Sequence, residues 1–86
     1  MLSLFALIVE YDRGTYIRQA RAASAQAALR KAAPHLGDIV PPKARQRFVE
    51  GLAAEKVVAI EGIIGVWCAS LSAKRRLVLV NIVRAA

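Results

Sequence analysis

Two stretches of this chain, Leu4 to Val9 and Leu77 to Val83, carry no charged side chain and are apolar at odd and even positions alike. A strand sends successive side chains to opposite faces of a sheet, so a strand apolar at both parities needs cover on both faces. That places both stretches in the middle of a sheet, because edge strands are usually blunted by charge. It also asks for more covering material than 86 residues readily supply. By surface scaling, a chain of this size hides roughly 60% of its extended-chain surface on folding, enough for one core but not for two. Residues 1–86 therefore read as a single domain, with no repeat or low-complexity linker.

The hairpin partners lie beside these stretches. Leu2 to Tyr11 is followed by Asp12, Arg13 and Gly14 and then by Thr15 to Ala22, a second strand. Gly14 suits the left-handed third position of a three-residue loop. With Tyr11 then opposite Thr15, one face carries Phe5, Leu7, Val9, Tyr11 and Ile17. The other carries Leu4, Ala6, Ile8, Glu10, Tyr16, Arg18 and Ala20. Val66 to Leu71 and Leu77 to Val83 form the second hairpin across the polar, basic link Ser72 to Arg76. If its loop has an even number of residues, Cys68 shares a face with Leu77, Leu79, Asn81 and Val83, and Trp67 lies with Val78, Val80 and Ile82. Val57 to Ile60 is a short strand or an extended segment, and Gly62 and Gly65 break the apolar run that follows it.

Between the hairpins the apolar spacing changes to that of helices. Ser24 is placed to cap a helix whose inner stripe is Ala25, Ala28, Leu29 and Ala32, with Pro34 stopping it nearby. A loop from His35 to Pro42 follows. Pro42 opens a second helix through about Ala54, with Phe48 and Leu52 inward and Arg45, Gln46 and Glu50 outward. The expected fold is α+β in ββααββ order, with a four-stranded antiparallel sheet in spatial order 2-1-4-3 and both helices on one face. The uncovered apolar face predicts a homodimer, since large exposed patches are uncommon on monomers. A sheet wrapped around the helices, or Ile63 to Val66 folded across the open face, is the alternative.

An apolar fraction of 57% excludes a disordered chain. Thirteen Lys and Arg against six Asp and Glu give a net charge of +7, which favours anionic partners such as an acidic protein or nucleic acid. The single Cys68 cannot form an intrachain disulfide and points to a reducing, cytoplasmic setting. Met1 to Val9 is apolar but lacks a basic flank and a cleavage site and is too short to span a membrane, so no membrane partner is expected.

Few side chains are suited to chemistry. His35 is the only histidine and stands far from Cys68 in sequence, whereas a zinc site gathers three or four ligands. A reactive thiolate needs an electropositive, partly exposed setting, so Cys68 inside a strand reads as a buried structural thiol. Asn81 interrupts an apolar strand and, if buried, belongs to a hydrogen-bonded network. Glu10, Asp12 and Glu61 have no spacing that assigns acid and base roles, and Arg18 is placed to pair with Glu10. Phosphate-cradling glycine loops and nucleophile elbows are absent from the sequence. No catalytic residue, cofactor or metal is therefore expected.

Two basic clusters remain: Lys43, Arg45 and Arg47 at the start of the second helix, and Lys74, Arg75 and Arg76 at a hairpin tip. Either is suited to gripping phosphates. Phe5, Tyr11, Tyr16 and Trp67 are the strand aromatics available for base stacking, although a core or interface role accounts for them more simply.

The string Tyr11 to Gln19, the small-residue helix from Ala25, Val66-Trp67-Cys68 and Asn81-Ile82-Val83 together resemble a group of small bacterial proteins, a resemblance that implies no activity. Leu4 to Ala33, less than half the chain, is similar to antitoxin domains of the HicB type, which also begin with a hairpin and an Ala-rich helix. Here the second strand runs almost directly into Ser24, without that family's loop of proline, glycine and cysteine, which puts toxin neutralisation in doubt. The resulting expectation is a small, basic, non-catalytic binding module, dimeric through its sheet. A nucleic-acid binder using Lys43, Arg45, Arg47, Lys74, Arg75 and Arg76 is the alternative. An enzyme with an intersubunit site around Cys68 or His35 is the third reading.

Overall fold

The computed structural model describes residues 1–86, along which the chain runs β1 (Ser3–Tyr11), β2 (Gly14–Ala22), α1 (Ala25–Ala32), a 3-10 helix (Ala33–Ile39), α2 (Pro42–Ala54), β3 (Val58–Ala59), β4 (Val66–Ala73) and β5 (Arg76–Arg84). All neighbouring strands are antiparallel, in the order β2-β1-β5-β4-β3. The four long strands keep the expected order, with β1 and β5 central. The sheet has five strands instead of four: Gly62 (φ 82°) and Gly65 (φ 80°) turn the chain back, so that Val58 and Ala59 pair with Cys68 and Trp67. Both glycines occupy the left-handed region that a Cβ disfavours.

The first hairpin corrects the sequence expectation by one residue. Tyr11 stands opposite Gly14, not Thr15, so the loop is only Asp12 (φ 47°) and Arg13 (φ 69°). Two consecutive left-handed residues make the mirror-image turn whose twist matches that of the flanking strands. Gly14 serves a different purpose, since a Cβ there would lie 2.6 Å from the Tyr16 hydroxyl oxygen. A one-residue shift reverses the faces of β2. Tyr16, Arg18 and Ala20 therefore share the face of Phe5, Leu7, Val9 and Tyr11, and Ile17 moves to the opposite face with Ile8. The second hairpin turns on Lys74 (φ 54°) and Arg75 (φ 64°), an even loop, which puts Cys68 with Asn81 and Trp67 with Ile82.

The helices cover the face that carries Leu7, Val9, Val78, Val80 and Ile82, all fully buried. Ser24 caps α1, its Oγ accepting from the Ala27 amide at 3.1 Å, and Ala25, Ala28, Leu29 and Ala32 form the buried stripe. In α2 the buried residues are Phe48 and Leu52. The segment read as a loop from His35 is instead mostly 3-10 helix. Pro34 lies in its first turn, where a missing amide costs no hydrogen bond, and the helix carries Leu36 into the core. Gln26 ties the layers together: its Nε2 donates to the Glu55 carbonyl at 2.7 Å and its Oε1 accepts from the Val57 amide at 3.0 Å. No helix is long and apolar enough to cross a membrane.

Arg13→Gly should stabilise the fold by about 1 kcal/mol, because glycine adopts the left-handed conformation without a Cβ clash. Calorimetry should show a rise of about 4–8 °C in Tm, and Arg13→Ala should show no such gain. Gln26→Ala should cost about 1–3 kcal/mol by denaturant titration, since it leaves a partly buried carbonyl and amide without their partner.

Candidate functional site

The pitch of α2 puts Lys43 and Arg47, four residues apart, on one side of the helix. Ala44, Phe48 and Gly51 form the adjoining stripe. This stripe meets the end of β4, where a Cβ added to Gly51 would lie 3.4 Å from Leu71 Cδ1. Between the two elements lies a cleft of about 660 Å³. From α2 it is lined by Lys43, Ala44, Arg47, Phe48 and Gly51, and from β4 and its turn by Leu71, Ser72, Ala73 and Lys74. Ala44, Phe48, Leu71 and Ala73 form the apolar part of its floor. Lys43, Arg47 and Lys74 are exposed and no acidic side chain lines the cleft.

Three of the six basic candidates thus meet across 30 residues of sequence, and three do not line the cleft. Arg45 lies on another side of α2, where its Nε donates to the Gly37 carbonyl at 2.9 Å. Arg76 is paired with Asp12 at 3.0 Å, and Arg75 stands at the tip of the turn. The only other salt bridge joins Arg18 to Asp38 at 3.5 Å, so no carboxylate of the chain neutralises Lys43, Arg47 or Lys74. No side chain caps the start of α2. The positive end of its dipole adds to the field there.

A second basic cleft, of about 680 Å³, lies between the edge strand β2 and the end of α1 and includes Arg18, Arg21, Lys31 and His35. Two of its cations, Arg18 and Lys31, are engaged within the chain, whereas the Arg21 guanidinium has no partner there. Arg18 Nε donates to the His35 carbonyl at 3.3 Å, and Lys31 Nζ donates to the Arg21 carbonyl at 2.7 Å. This group is not apparent from the sequence, because a three-residue loop would place Arg18 on the opposite face of the sheet. The expected Arg18–Glu10 pair is corrected for the same reason: Arg18 stands opposite Leu7 on the helix side, whereas Glu10 faces the other way.

His35 is exposed within the 3-10 helix. Cys68 is a free thiol, half-buried on the uncovered sheet face beside Asn81, not enclosed in the core. No three His, Cys, Asp or Glu side chains gather closely enough to hold a metal ion. Phe5, Tyr11, Tyr16 and Trp67 all lie on the helix-covered face. Phe5 and Trp67 meet edge to face at 5.8 Å, and the Arg84 guanidinium lies 5.5 Å from the Trp67 ring centroid. These rings serve internal packing, and the open face presents no aromatic platform for bases.

Comparison with known proteins gives no match to a family model, a curated protein or a solved structure.

The two kinds of cation should separate by stability. Arg45→Ala should cost about 1 kcal/mol through its lost hydrogen bond and stem packing, whereas Lys43→Ala and Arg47→Ala should stay within about 0.5 kcal/mol of the parent. Chemical denaturation of the three variants measures this.

Proposed function

We propose that this protein is a non-catalytic interaction module that holds an acidic, partly apolar segment of a partner protein in the cleft between α2 and the β4–β5 hairpin. The observation that carries this reading is the convergence of Lys43, Arg47 and Lys74, none neutralised within the chain, around an apolar floor that includes Leu71 and Ala44. Carboxylates of the partner meet the three cations through charge-assisted contacts. An apolar side chain between them covers the floor, which supplies the non-directional part of the affinity.

The turn adds support. Lys74 and Arg75 are held with positive φ, a conformation that costs a non-glycine residue about 1 kcal/mol or more and that Asn-Gly would adopt more cheaply. Keeping a long cation at Lys74, which lines the cleft, fits a surface that uses it.

Binding to a nucleic-acid backbone is the second reading, favoured by the clustering of Lys74, Arg75 and Arg76 at the tip and start of one hairpin, close to Lys43 and Arg47. The apolar part of the cleft floor and the absence of any aromatic side chain from the open sheet face weigh against it.

Fluorescence anisotropy distinguishes the two. A labelled acidic peptide containing leucine should bind saturably, and the triple variant K43A/R47A/K74A should bind it about tenfold or more weakly. Replacing the peptide's leucines by serine should also weaken binding. Single-stranded RNA or duplex DNA bound more tightly than the peptide, with log K falling against log salt by roughly 0.7 (single strand) or 0.9 (duplex) per phosphate neutralised, would favour the second reading. Equal peptide binding by parent and triple variant would contradict the assignment of the cleft.

A further inference from the structure

On the side of the sheet away from the helices, a second surface is uncovered; it is apolar along β1 and β5 apart from Glu10 and Asn81, with Thr15, Gln19, Ser70 and Ser72 on the flanking strands. Ala6, Ile8, Ile17, Leu77, Leu79 and Val83 all point to it, and Ile17 and Leu77 remain 61% and 63% exposed. The segment that offered intramolecular cover does not provide it, because Ile64 is 97% exposed.

The size of this surface suits a specific occupant. Four long strands at ~4.8 Å spacing and ~3.3 Å rise present a footprint of roughly 600 Å². That is within the area each partner contributes to a stable interface, roughly 600–1,000 Å².

The charges on this face identify the partner. Glu10 and Arg21 are its only charged strand residues. Arg21 stands opposite Leu4 and Glu10 opposite Thr15, so the two lie six residues apart along β1, about 20 Å, too far to pair within one chain. A face with one charge of each sign at opposite ends is complementary to itself turned end over end.

We propose that this face is the interface of a homodimer, with a second copy packed sheet on sheet about a two-fold axis that crosses the strands near the level of Leu7. That operation brings Glu10 of each copy to Arg21 of the other, and it buries Ile8 and Ile17 near the centre. The two sheets pack ~10 Å apart, with their strands inclined by about 30°, as in other aligned sandwiches. An isologous contact of this kind closes the assembly at two copies. The proposal is independent of the cleft, which opens on the helix side of the sheet.

Sedimentation equilibrium on the full chain, with far-UV circular dichroism to verify folding, tests it. The parent should be a dimer. E10R and R21E should each raise the dissociation constant about tenfold or more, since each creates two like-charge encounters, whereas E10R/R21E should restore it to within about threefold of the parent. I17K, at an exposed position that the monomer fold does not need, should also dissociate the dimer. A monomer at every concentration up to the solubility limit would overturn the proposal. So would a dimer indifferent to these substitutions, or a double variant no better than the single ones.

Discussion

The pairing of β1 with β5 is the constraint on which the rest of the molecule depends. These strands run antiparallel from Phe5 opposite Arg84 to Glu10 opposite Leu79, and both hairpins hang from them. Their inward residues Leu7, Val9, Val80 and Ile82 are fully buried beneath Leu29, Leu36 and Leu52, which come from three different helical segments. Burial of such side chains contributes roughly 1.5–3 kcal/mol each, so one pair of strands recruits α1, the 3-10 helix and α2 to the same face. The outward residues of the same strands obey the same physics and find no cover within the chain.

Both proposed surfaces follow from that asymmetry. Placing every helix on one face brings the start of α2 against the end of β4, which assembles the cleft, and leaves the opposite face free. A dimer formed through the free face carries its two clefts on its outer surfaces, so a partner with two acidic segments would be held twice and gain from effective concentration. The basic charge divides accordingly: Arg18 and Lys31 at the β2 edge are engaged with carbonyls and Asp38, whereas Lys43, Arg47 and Lys74 are left for an external anion.

Much of the fold was legible in the sequence because its signals are local. Ser24 marked the start of α1, Pro42 that of α2, and the two-sided apolar strands marked the centre of the sheet. What escaped depends on features that residue identity does not display. Asp12 and Arg13 adopt a left-handed turn that ordinarily calls for Asn-Gly, so Gly14 drew the turn to itself and the faces of β2 were reversed. The 3-10 helix is not legible in the sequence because Pro34 is as compatible with the start of a helix as with its end. For the site, both clusters were visible but their division was not. Helical pitch separates Arg45 from Lys43 and Arg47, whereas the meeting with Lys74 and the loss of Arg76 to Asp12 are tertiary events.

The proposed basic cleft for an acidic segment and the proposed apolar sheet face for a second copy are two separate surfaces of one fold. Amide chemical-shift mapping, with titration by the acidic peptide and then by dilution of the protein alone, tests both together. Peptide should move the amides of Lys43 to Gly51 and Leu71 to Lys74, while dilution should move those of Ala6, Ile8, Ile17 and Leu79. Peptide-induced shifts centred on the open sheet face, or no response of that face to dilution, would contradict this assignment.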